Sequence, residues 1–447
     1  MRRLLTSCTA AVVVSLLGLG VSVAGPGDPD TNWPSWRGPA GTGVGSGAPP
    51  IEWAEDRNVR WKSDIPGLGS ASPIVWDDRV YILTAIGETA AAAPAGGRPR
   101  RGGPHGPPAT TDTIDWAVIA YDASDGSEVW RRVLRSQVPY GGKHFTNSYA
   151  SASAVTDGEH LWAFFGSYGL YCLDMEGNSV WELDFGAMQT RLGFGEGASA
   201  ALHGDRIVVI WDQELQSWIG AFDKLTSEEL WRTDRDEATT WGTPFIVEHD
   251  GATQVITPGT NRVRSYGLAD GKLLWEGPGL TPNSIPSPVS ADGVVYLTAG
   301  FRGSALMAVD LSRAQGKIDG TDAILWHIDR DTPYVPSPLL LDDIVYYTKS
   351  NDAIITAVRA SSGEKLFGPR RIDGVREIYA SPATANGYVY VLGRDGGAAV
   401  LRHGEEYEVV AQNTLDDGFD ASPAIVGDSL YLRGRGSLYR IAAPAGE

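Results

Sequence analysis

Cysteine is scarce in this chain: 447 residues carry only Cys8 and Cys172. Cys8 lies in an amino-terminal segment with the marks of an export leader. Arg2 and Arg3 precede the apolar run Ala10–Val21, and Ser22-Val23-Ala24 is a small-residue cleavage pattern. Cleavage near Ala24 leaves one cysteine, so no intramolecular disulfide can form and the fold must rest on its core. Cys8 comes before the apolar run, which is not where a lipid-bearing cysteine stands, and Cys172 reads as core packing in Leu170-Tyr171-Cys172-Leu173. Long apolar runs are also missing. Ala10–Val21 is too short to span a bilayer comfortably, so the expectation is a periplasmic or secreted protein with no membrane insertion. Positive charge is in short supply, 37 Lys+Arg against 55 Asp+Glu for a formal net charge of −18. That balance argues against nucleic acid and anionic membrane surfaces as partners. The seven histidines show neither His-x-His nor His-Glu-x-x-His spacing, so no metal site is expected. Gly-Phe-Gly-Glu-Gly at 193–197 lacks the following Lys-Ser/Thr of a phosphate loop.

What is present is a repeat. Ala71-Ser72-Pro73, Ala150-Ser151-Ala152, Ala198-Ser199-Ala200, Gly242-Thr243-Pro244, Pro286-Ser287-Pro288, Pro336-Ser337-Pro338, Ala380-Ser381-Pro382 and Ala421-Ser422-Pro423 each open an apolar stretch. Their spacing of about 45 residues is that of propeller blades and a few helical arrays. Within a unit, short β-branched or aromatic runs alternate with Asp/Gly turns, as in Val80–Leu83, Ala117–Tyr121, Asp125-Gly126 and Glu128–Trp130. Helical i, i+3, i+4 spacing is not seen, and 55 glycines argue against helices. The reading is all-β: an eight-bladed β-propeller of four-stranded antiparallel blades over residues 59–443. Trp130, Trp181, Trp231, Trp275 and Trp326 end the fourth strands and are expected to wedge between neighbouring blades. The last unit lacks a fourth strand, and Val59-Arg60-Trp61-Lys62 is expected to supply it and close the ring. Residues 25–58 form a Trp/Pro/Gly-rich arm, expected to pack on the ring. Residues 86–113 interrupt blade one with a basic low-complexity insertion carrying Arg98, Arg100 and Arg101.

The pattern Ala120-Tyr121-Asp122-Ala123-Ser124-Asp125-Gly126-Ser127-Glu128-Val129-Trp130 resembles the tryptophan-docking repeat of the PQQ-like (quinoprotein-type) β-propeller family. The arm Trp33-Pro34-Ser35-Trp36-Arg37-Gly38-Pro39 resembles exported propellers described as PQQ-binding-like or BamB-like. The family includes PQQ-dependent dehydrogenases and the non-catalytic assembly factor BamB. The resemblance therefore implies either PQQ with calcium or a binding scaffold. The dehydrogenases' vicinal cysteine pair has no counterpart here, and their calcium ligands are not legible, so no catalytic residue is carried over and no cofactor is assigned.

In such a ring, the loops joining strand four to the next blade and strand two to strand three share one face. The candidate ligand-binding set on that face is Arg191, Glu196, Trp211, Asp212, Trp241, Asn261, Arg262, Arg302, Tyr334, Asn351, Arg394, Asp420 and Arg435. A funnel of arginines and aromatics suits a peptide or another carboxylate-bearing ligand. The competing reading pairs these charges among themselves, Arg394 with the neighbours of Asp395 and Arg262 with Asp212, as channel wall. The favoured function is a non-catalytic scaffold for an envelope or secreted protein. A PQQ-dependent oxidoreductase and a carbohydrate-binding or carbohydrate-active propeller are the alternatives.

Overall fold

The computed structural model describes residues 32–88 and 109–444. The leader through Ala24 and the insertion arginines Arg98, Arg100 and Arg101 lie outside the described residues. The described strands form eight antiparallel sheets following one another along the chain, at 74–137, 155–183, 201–235, 245–278, 289–328, 339–371, 383–414 and 424–442. This is the expected eight-bladed propeller. Val59–Asp64 completes the last blade: it pairs antiparallel with Ser437–Ala442, with Trp61 opposite Arg440. Head and tail are thus sewn into one sheet.

The recurrent residues answer local demands. Each docking tryptophan donates its indole N–H to a carbonyl of the neighbouring blade: Trp61 to Ala123 (3.0 Å), Trp130 to Met175 (3.1 Å), Trp181 to Lys224 (3.0 Å), Trp231 to Leu268 (2.8 Å) and Trp326 to Ala360 (2.9 Å). The ring then lies on the next blade's turn glycine. Gly126 has φ +75°, and a Cβ there would collide with Trp61; Gly271 stands in the same relation to Trp231. Glycine is required on both counts. The motif aspartate accepts N–H groups of its own turn, as Asp122 does from Ser124 (2.8 Å). Blade four departs from the rule. Trp275 is fully buried and donates to Gln254 of its own blade (3.1 Å), because Gly316–Lys317 adds a parallel fifth strand over its edge.

The Ser/Thr at each blade start has an equally specific role. The backbone N–H of Ser72 donates to Ser153 Oγ, Ser153 to Ser199, Ser199 to Thr243, Thr243 to Ser287, Ser287 to Ser337, Ser337 to Ser381, Ser381 to Ser422 and Ser422 back to Ser72, all at 2.8–3.0 Å. Eight hydrogen bonds close a belt around the axis. The belt corrects the expected start of blade two. Its member is Ser153, not Ser151, whose hydroxyl instead donates to Asn147 Oδ1 at 2.6 Å.

The arm crosses the end of the ring that carries the first hairpins. Trp33 is fully buried and forms a bridge with Val75. Trp36 Nε1 donates to Ser422 Oγ at 3.3 Å and floors the channel. Arg37 Nη2 donates to Pro338 O at 2.6 Å, and burial without a carboxylate pulls the guanidinium down to about 9. The opposite end is left to the inter-blade loops. No helix among the described residues is long and apolar enough to cross a membrane.

Candidate functional site

Two cavities open on the loop-bearing end. The axial channel, about 190 Å3, is bounded by belt residues such as Ser72 and Ser199 and rimmed by His144, Phe194, Trp241, Tyr334 and Tyr379. Beside it lies a larger cavity of about 320 Å3 formed by the loops around blades two, three and four, with Glu196, Ser167, Asp212 and Trp241 among its walls.

The two acids of the larger cavity have opposite environments. Among the described residues Glu196 meets no cation. Its Oε1 accepts Ser167 Oγ–H at 2.5 Å and its Oε2 accepts the Ser167 N–H at 2.6 Å. Ser167 Oγ in turn accepts the Met188 N–H at 2.7 Å. Burial pushes the Glu196 carboxyl up to about 7, against the pull of the Ser167 hydrogen bonds. Some of the residue's surface is still accessible, but the carboxyl lies at depth. Gly166 makes the arrangement possible: its φ is +57°, and any Cβ would strike Glu196 Oε2. Asp212 is instead locked to Arg235, Oδ1 to Nε at 2.7 Å and Oδ2 to Nη2 at 3.0 Å, both side chains fully buried. Thr240 adds a hydroxyl to Asp212 at 2.7 Å, while Arg235 also donates to Thr257 (2.8 Å) and Tyr266 (2.9 Å). Asp212 is a bolt through the wall.

Aromatic residues shape the rest of this cavity. Tyr168 is stacked between Trp116 (3.7 Å between ring centres) and Tyr140 (5.6 Å). Tyr149 meets Tyr168 edge-on, and the Lys143 ammonium sits 5.6 Å from its ring centre. Trp241 donates to Gly195 O at 2.8 Å and stands between cavity and channel.

The remaining nominated residues divide into committed and uncommitted groups. Asp420 accepts from Arg394 Nε and from Arg435 Nε (3.1 Å), and Arg394 also reaches Glu377 at 3.2 Å. Tyr379 lies under the Arg394 guanidinium at 4.1 Å. The partners of Arg394 are therefore Asp420 and Glu377, while Asp395 faces Arg376 at 3.8 Å. Arg262 does not meet Asp212: it pairs with Asp319 of blade five at 2.6 Å, outside both cavities. Asn261 donates its backbone N–H to Glu237 (2.9 Å), and Asn351 Oδ1 accepts the Val335 N–H (3.1 Å). Trp211 is buried against Trp218 in the core, 5.7 Å between ring centres. Arg191 and Arg302 form no ion pair with a described residue. Both act on Tyr334, whose hydroxyl burial pushes upward while the Asn283 amide and the two guanidiniums pull it back. Tyr334 is stacked on Phe301 at 4.8 Å, and Arg302 lies 5.1 Å from the Phe301 ring centre. Arg235 and Gln189 are not read from sequence, and Ser167 is read as a loop residue of this face without a place in the ligand-binding set. Ser167 carried a signal, an adjacent glycine in a strand-two-to-three loop, whereas Arg235 ends a fourth strand and carried none.

A family model described as outer membrane protein assembly factor BamB matches residues 51–209 and 215–447. The chain belongs to this family. Among solved structures, the BamB-type propeller resembles BamB from Moraxella catarrhalis at 17% identity and TM-score 0.54, over 75% of this chain and 95% of that one. It also resembles a europium-containing methanol dehydrogenase (11% identity, TM-score 0.61, 92% and 91% coverage). A third is the quinohemoprotein alcohol dehydrogenase ADHIIG from Pseudomonas putida HK5 (11%, 0.57, 95% and 83%). At these identities the structures share the fold alone. No curated protein matches the chain significantly. Among the described residues no three His, Cys, Asp or Glu side chains gather as metal ligands. Asp212 and Asp420 are spent on arginines, and Cys172 is buried in a strand with its thiol pushed up to about 12.

Proposed function

We propose that this chain is an exported, non-catalytic member of the BamB-type family that binds a protein or peptide segment on its loop-bearing face. The observation that carries the reading is the Phe301–Tyr334 stack with two guanidiniums near it, Arg191 and Arg302, that form no ion pair among the described residues. Elsewhere on that face Arg235, Arg394 and Arg435 already hold carboxylates, so these two have forked donors to offer. A carboxylate bound to them gains charge-assisted hydrogen bonds, and the adjoining aromatic pair gives a flat surface for a side chain or peptide plane. The partner would be an envelope or secreted protein; the family's description as an outer membrane protein assembly factor and the leader-like first residues support that compartment.

Fluorescence polarisation tests this. Labelled random octapeptides with a free carboxyl terminus should bind at least about tenfold more tightly than their amidated forms, the value of one charge-assisted contact. The Arg191→Ala/Arg302→Ala protein should lose that preference. Equal affinity for acid and amide, or a preference that survives the double substitution, would refute the reading.

A further inference from the structure

The 320 Å3 cavity is not explained by carboxylate capture. Neither Arg191 nor Arg302 lines it, and the charged groups that do are Glu196 and Asp212. No Lys or Arg lines it, and two cations joined to its walls are consumed: Arg235 by Asp212, and Lys143 by Glu88 at 2.8 Å. An anionic ligand would meet carboxyl oxygens and no cation among the lining residues.

A cationic ligand fares little better. Recognition of an ammonium by aromatic residues needs open ring faces. Both faces of Tyr168 are covered, by Trp116 and Tyr140, and Tyr149 already carries the Lys143 ammonium, which leaves the Trp241 indole alone, without the cage of rings that holds an ammonium. Glu196, which meets no cation among the described residues, is pushed up to about 7 by burial and so carries only part of a charge at neutral pH.

What remains is a neutral ligand with many hydroxyls. Glu196 can donate as the acid or accept as the carboxylate. The Gln189 side-chain amide, at the exposed mouth, has no protein partner among the hydrogen bonds formed by described residues, and it offers both roles. Trp241 supplies an indole wall between these groups and the channel. Mixed donor–acceptor pairs beside one indole are what a sugar ring uses, its apolar face against the aromatic and its edge hydroxyls in the hydrogen bonds. The geometry points to a carbohydrate-binding site in the cavity beside the channel, taking one neutral pyranose unit against Trp241 with its hydroxyls on Glu196 and Gln189. This goes beyond peptide capture and uses different residues, so each can fail alone.

The test is isothermal titration of the full chain with glucose, galactose, N-acetylglucosamine and the disaccharides cellobiose and chitobiose, with galacturonate and choline as charged controls. At least one neutral sugar should bind with a Kd below about 10 mM, and Gln189→Ala and Trp241→Ala should each weaken it about tenfold, the worth of one lost contact. Trp241→Phe should recover part of the loss, and Gln189→Ala, at the exposed mouth, guards against a folding artefact. Glu196→Gln should bind within a few-fold of the parent, whereas Gly166→Ala, which drives a methyl into the carboxyl, should not bind. Arg191→Ala/Arg302→Ala should bind sugar unchanged. Absence of binding by every neutral sugar, tighter binding of galacturonate or choline, or binding indifferent to both Gln189→Ala and Trp241→Ala would overturn the assignment.

Discussion

The loop-bearing face has two unlike arcs. Around blades seven and eight, Arg394, Arg435, Asp420 and Glu377 form a closed set in which each charge has its counter-charge. Around blades three to six, Arg191 and Arg302 stand unpaired and Glu196 is stabilised by a serine and not by a cation. Both arcs read alike in sequence, as loops rich in Arg, Asp, Glu and aromatics. The difference is that a paired ion set has already used its hydrogen-bonding capacity on the wall, while an unpaired one keeps it for a ligand. Counting charges on a face therefore overstates its binding potential, and partner geometry sorts the residues.

The largest effect expected from breaking this comparison is at the buried bolt. Arg235→Ala would strand Asp212 as a lone carboxylate in a fully buried position, a change that costs about 3–5 kcal/mol in other proteins. Chemical denaturation should show it, and a cost below about 1 kcal/mol, the level of exposed pairs, would mean the pair is not desolvated. The Glu196 effect is next and carries a pH signature. Its folded pKa of about 7 lies above the ordinary value of 4.5. The folded state therefore holds the proton more tightly than the unfolded one. The stability this lends is complete below about pH 4.5 and lost as pH rises through 7, about 3 kcal/mol in all. Glu196→Gln has no proton to lose, so its melting temperature relative to the parent should climb between pH 5 and pH 8. A difference that stays flat across that range would show the carboxyl to be well solvated. Ser287→Ala should cost less, about 1–2 kcal/mol, by removing the acceptor of the half-buried Thr243 N–H and opening the belt. Its melting should shift in the same direction as a Ser381→Ala protein, since the two occupy equivalent places in the circle.

The fold was largely legible because the repeating residues each meet a steric or hydrogen-bonding demand found once per blade. A glycine under an indole, a serine in the belt and an aspartate in a turn leave periodic marks. Ring closure followed from counting strands, with Trp61 as the missing docking residue. Blade two slipped by two because Ser151 and Ser153 sit in the same Ala-Ser-Ala context, and only the phase of the belt separates them. The site was less legible. Loop position was enough to nominate Glu196, Trp241 and Asp212, but not their pairings, since Ser167 sits on a different loop from Glu196 and Arg235 ends a fourth strand. The Arg262–Asp319 pair joins residues on different blades through the blade-five insertion, and no local pattern announces it. The burial of Trp211 escaped because its strand continues one residue further than the turn signals suggest.

The smallest stability effect should fall where the binding effect is greatest. Arg191→Ala/Arg302→Ala removes two side chains without ion-pair partners, so the unfolding free energy should stay within about 0.5 kcal/mol of the parent. Arg394→Ala is the matched control from the other arc. It deprives Asp420 of its closer partner and leaves the carboxylate leaning on Arg435 alone, at 3.1 Å. That protein should be measurably less stable yet keep its preference for free-carboxyl peptides. If the arcs behaved alike, with Arg394→Ala also erasing peptide preference at unchanged stability, the division between spent and available charges would not hold, and the whole rim would have to be treated as one electrostatic surface.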